Sequence, residues 1–92
     1  MKRYGLTYDS ILGHKYATQA ISDIVDELQR AEMKHPGWPT DKIHACAVMV
    51  AEAGEAMDAA LDCVYDDVDV GKIKAELVQT GAMCVRALMH LR

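Results

Sequence analysis

Residues 41–64 read DKIHACAVMVAEAGEAMDAALDCV, a run with apolar side chains almost all the way round a helix. Ile43, Ala47, Val50, Met57 and Leu61 fall on one side, and Ala45, Val48, Met49 and Ala56 fall elsewhere. A helix that is apolar on several sides is expected to be buried on several sides. Thr40 or Asp41 is placed to cap its start, because short oxygen-bearing side chains accept from the free N–H groups of a first turn.

Upstream, His35-Pro36-Gly37-Trp38-Pro39 must break any helix, since each proline disfavours α geometry in the residue before it. Before that break, Ala17, Ile21, Ile24, Val25, Leu28 and Ala31 recur at steps of three and four, predicting an amphipathic helix over residues 17 to about 34. Its opposite face carries Asp23, Asp26, Glu27 and Arg30. Residues 1–16 hold Gly5, Gly13 and three tyrosines without a sustained period, and read as an irregular arm or a short extra helical turn. Downstream, Asp66, Asp67, Asp69 and Gly71 make a short connection to a third helix over about 70–91. Ile73, Leu77, Gly81, Cys84, Leu88 and Leu91 form its apolar stripe; Glu76, Gln79, Met83, Arg86 and His90 form a second stripe beside it.

The expected fold is all-α, a small helical bundle made of an arm (1–16) and one domain (17–92). Half the residues are apolar but aromatics are few and Phe is absent, so burial falls to Ala, Val, Leu, Ile and Met on closely packed helices. A chain of 92 residues hides only about 60–65% of its unfolded surface, and so apolar a middle helix calls for a homodimer or homotetramer. A formal charge of −4 argues against nucleic acid as a partner. No stretch reaches membrane-spanning length and no apolar region follows Lys2 and Arg3, so no membrane partner is expected. Cys46, Cys63 and Cys84, odd in number and within apolar patterns, suit reduced core thiols and a cytoplasmic location. His44 and Cys46 lack a second pair at ligand spacing, so zinc is not expected.

Glu52 and Glu55 stand three apart on the middle helix among apolar neighbours, so both project from one face. Two carboxylates there need a cation or a hydrogen-bonding partner. A third helix folding back after a short connection can bring Glu76 to the same point, and an all-oxygen set suits Mg²⁺ or Mn²⁺. The alternative is ion pairing with Lys72, Lys74 or Arg86.

Ala-Glu-Ala-Gly-Glu at 51–55, followed by Ala-Glu-Leu-Val-Gln at 75–79, resembles the MazG-like all-α nucleoside triphosphate pyrophosphatases, whose pattern is E-E-x-x-E and, a helix later, E-x-x-D. The likeness spans residues 17 to 91, including the helix order and a Trp-containing turn before the middle helix. It implies an enzyme that hydrolyses a nucleoside triphosphate to monophosphate and pyrophosphate, with Glu52, Glu55 and Glu76 as catalytic Mg²⁺ ligands and self-association into dimers or tetramers. Two positions depart from the pattern. Ala51 replaces its first Glu, and Gln79 replaces the Asp, leaving a neutral carbonyl oxygen as the fourth ligand. The alternative reading is therefore a catalytically degenerate homologue, a nucleotide-binding or helical association module. For substrate binding, Trp38 either stacks on a base or anchors its turn on the core, Lys34 either meets phosphate or complements a helix C-terminus, and Arg86 approaches either the phosphates or a carboxylate. His90, near the chain end, is expected to fray into solvent.

Overall fold

The computed structural model describes Thr7, Asp9, Ser10 and residues 13–91. Most of the expected arm lies outside the described residues. Three helices follow: α1 (Lys15–Lys34), α2 (Lys42–Asp66) and α3 (Val70–His90), with no strand among the described residues. The protein is all-helical, as expected.

Each helix starts and stops for a local reason. α1 begins two residues before the periodic pattern, because the His14 ring accepts the Ala17 N–H and supplies a cap. Asp41, one of the two expected candidates, caps α2 by accepting the His44 N–H at 2.9 Å. α2 ends at Asp67, whose φ of 56° lies in the left-handed region that an Asp side chain tolerates better than most. The Asp67 N–H then bonds back to the Asp62 carbonyl.

α3 is the central helix. It doubles back along α2, so that Asp62 lies near Lys72, Glu55 near Glu76 and Ala45 near His90. α1 runs beside α3 in the same direction, with Ile24 against Gly81 and Glu32 against Arg86 and His90. Gly81 is what lets α1 come so close: a Cβ there would stand 2.9 Å from Ile24 Cδ1. α1 and α2 do not pack on each other.

The core is thin. Among the described residues the buried apolar side chains are Ala31, Ala45, Ala56, Ala59 and Ala82, and no large side chain is fully buried. The apolar stripe expected for α3 is mostly at the surface, with Leu77, Leu88 and Leu91 exposed, whereas Ala82 and Arg86 hold the buried centre. The reason is position: α3 is flanked by two helices, so its inward face is the one between them, and that face carries Arg86. Cys46 is exposed and Cys63 and Cys84 are half-buried, which corrects the expectation of three core thiols; all three are free. Among the described residues no helix is long and apolar enough to cross a membrane.

Candidate metal and anion site

Glu52 and Glu55 leave α2 from adjacent turns toward α3, and Glu76 meets them from α3 because the hairpin folds back in register. One ligand oxygen from each lies within 4.8 Å of the others. Oε2 of Glu52 and Oε2 of Glu76 are buried and without a hydrogen-bond partner. Among the described residues none of the three pairs with Lys72, Lys74 or Arg86. Burial first, then the charges of Glu55 and Glu76, a hydrogen bond with Glu55 and the charge of Glu27 hold the Glu52 carboxyl above its ordinary value. Unpartnered buried carboxylate oxygens this close together are unfavourable unless a cation compensates them. A hard divalent cation, which takes oxygen ligands, fits that donor set.

Beside the carboxylates opens a cavity of about 370 Å³. Glu52 and Gln79 line it together with the apolar Val48 and Met83, and Trp38, Lys34 and Arg86 complete the lining. Arg30 also reaches the cavity, with its guanidinium forked onto Glu27 at 2.7–3.2 Å. Gln79 shares this cavity with Glu52, while Glu55 and Glu76 line a separate recess with Asp58, Asp62 and Lys72.

Arg86 is 4% exposed and serves the turn. Its Nε donates to Glu32 Oε1 at 3.2 Å, its Nη2 donates to the carbonyls of His35 and, at 3.3 Å, Gly37, and its Cζ lies 4.9 Å from the centre of the Trp38 ring. Of the two expectations for Arg86, the carboxylate contact is present, but the partner is Glu32 of α1 rather than the Glu76 and Gln79 region. His90 is held rather than frayed: Nε2 donates to the same Glu32 oxygen at 2.8 Å, and its ring stacks on Trp38 at 6.1 Å. His90 first, then Arg86, hold the Glu32 carboxyl below its ordinary value against the opposing effect of burial. Trp38 thus anchors its turn between Arg86 and His90, with its buried Nε1–H unpartnered.

Sequence reasoning missed two acids. Glu27, assigned to the solvated face of α1, has a side chain only 13% exposed and faces Glu52. The signal was its spacing, since Ile24, Glu27, Ala31 and Lys34 form one stripe at steps of three, four and three. Glu32 was missed because its partners, Arg86 and His90, lie more than fifty residues away in sequence.

No protein-family model, curated protein or solved structure matches this chain.

Proposed function

We propose that the protein is a Mg²⁺-dependent nucleoside triphosphate pyrophosphohydrolase that releases a nucleoside monophosphate and pyrophosphate and works as a homo-oligomer. The observation that carries this reading is the meeting of Glu52, Glu55 and Glu76, two with unpartnered buried oxygens, where Glu52 also lines a cavity shared by Lys34, Arg30 and Trp38. The likeness of residues 51–55 and 75–79 to the MazG-like pattern supports it. Mn²⁺ suits the same ligands.

The three carboxylates would hold the cation, with the Gln79 side-chain oxygen as a neutral fourth donor at the cavity edge. A divalent cation there supplies charge neutralisation for phosphates and a more acidic water. Lys34 and Arg30, on successive turns of α1, set positive charge at the mouth of the cavity to receive the phosphate chain. Val48 and Met83 offer an apolar surface to a base, and Trp38 lines the same cavity. Arg86 lines the same cavity while fixing the Trp38 turn, so it can both position that turn and meet substrate. The reaction is attack of water on the α-phosphorus with pyrophosphate leaving, without a covalent intermediate.

Incubation with Mg²⁺ and a panel of canonical and modified nucleoside triphosphates, followed by chromatography, tests the reading. Monophosphate and pyrophosphate in equal amounts, lost in Glu55→Ala, are expected. No turnover across the panel with either Mg²⁺ or Mn²⁺ defeats it.

Gln79 supports a second reading, a degenerate homologue that binds a nucleotide or serves as an association module, because a neutral amide stands where the family pattern has a charged ligand. Gln79→Asp separates the two. Activity that appears only in this variant identifies a decayed site, and activity already present in the wild type removes Gln79 as an obstacle.

A further inference from the structure

α2 has two apolar faces, and α3 covers only one. On the covered side lie Ala45, Ala56 and Ala59. On the opposite side Ile43, Val50, Met57 and Val64 recur at seven-residue steps and are all exposed, Ile43 at 83% and Val64 at 74%. The positions three and four residues beyond the first three of these are Cys46, Ala47, Ala53, Gly54, Ala60 and Leu61, every one apolar. Such a seven-residue repeat is the pattern by which one helix packs lengthwise on another. From Ile43 to Val64 the seam runs about 32 Å at 1.5 Å per residue.

We infer that this seam is an interface with a second copy of the chain, its two α2 helices antiparallel and crossing at Ala53–Gly54. The seam's symmetry and its small central residues select that partner, and the helix dipoles select the direction. The seam is symmetric about its middle: turned end for end, Ile43 lies opposite Val64, Val50 opposite Met57, and Ala53 opposite Gly54 of the second copy. The smallest side chains stand at that middle, where two helices come closest, and a Cβ on Gly54 meets nothing within 4 Å in the single chain. The antiparallel arrangement opposes the two helix dipoles, whereas a parallel one aligns them.

This inference gives a surface and a register to the self-association proposed above and is independent of what the carboxylates bind. Sedimentation of the wild-type protein is expected to give twice the 10.2 kDa mass of one chain, or a multiple of that pair. A single-chain mass throughout the micromolar range overturns it. Gly54→Leu supplies the sharper test. In an isolated chain the substitution meets open space and replaces glycine with a better helix former, so it would stabilise. At the crossing point it overpacks the interface, and the expected result is association weakened roughly tenfold or more with helical circular dichroism retained. Unchanged or tighter association overturns the proposal.

Direction is read separately with cysteine pairs. Leu61→Cys places a thiol opposite Cys46 of the second copy. Diamide, the oxidant, takes two electrons and two protons as the two thiols join, and a covalent dimer lost on adding Cys46→Ala is expected. In the wild type the two Cys46 thiols lie about 22 Å apart along the seam and stay unlinked. A wild-type dimer linked through Cys46 means parallel helices and overturns the register. None of these readouts depends on metal or nucleotide, so failure here and failure of the proposed activity are told apart.

Discussion

Glu52 stands at the junction of the carboxylate cluster and the cavity, and its raised proton affinity has a definite thermodynamic sign. An acid whose folded value lies above its unfolded value binds more protons folded than unfolded. Its stabilising contribution is complete below the ordinary carboxylate value and is lost as pH rises through the raised one. Near neutrality the ionised cluster therefore strains the metal-free protein. Glu52→Gln removes one charge from it and is expected to raise Tm in chelator-treated buffer at pH 7. Saturating Mg²⁺ should stabilise the wild type by about 2.7 kcal/mol at a hundredfold excess over Kd and so raise its Tm, and should raise that of Glu52→Gln less. Differential scanning fluorimetry with and without Mg²⁺ checks both, and a wild-type Tm that ignores Mg²⁺ counts against metal binding. Glu52 and Glu55 were legible in the sequence because ionisable residues interrupt an apolar run three apart, and Glu76 because a short connection forces α3 back along α2. Glu32 had no such local cue.

Between elements, the contact that matters most is the one through Arg86. This buried guanidinium joins the end of α1, the Trp38 turn and the last turns of α3, and it donates to two backbone carbonyls of that turn. Arg86→Met keeps a long side chain but supplies no donor, and an unfolding free energy lowered by about 2 to 3 kcal/mol is expected from urea titration. Loss of Trp38 fluorescence change on nucleotide addition should accompany it if the turn carries the binding wall. Glu32 titrates in the opposite sense to Glu52. Its carboxyl is held low, so the unfolded chain binds more protons, and the stabilisation it gives is present above the ordinary carboxylate value and lost as pH falls through the depressed one. The helix boundaries themselves were readable to within two residues, since prolines, Asp41 and the three-and-four spacing are local signals. Which stripe of α3 would be inward was not, because it depends on α1 lying alongside α3 rather than on α3's own pattern.

At the scale of the molecule, the surplus of apolar surface on α2 was evident in residues 41–64, while the seven-residue seam within it stood out only once α3 had taken the other face. The five buried alanines carry a calorimetric consequence. Unfolding raises heat capacity in proportion to the apolar surface newly hydrated, ordinarily by about 1.2 kcal/mol/K for a chain of 92 residues. A single chain whose fully buried apolar side chains, among the described residues, are alanines, with the larger ones left part-exposed, releases less, so its stability would vary more shallowly with temperature. Curvature of ordinary size in scanning calorimetry, with a midpoint that climbs as protein concentration rises, would mean that most of the hydrophobic surface whose exposure unfolds this protein is surface that one chain alone never covered.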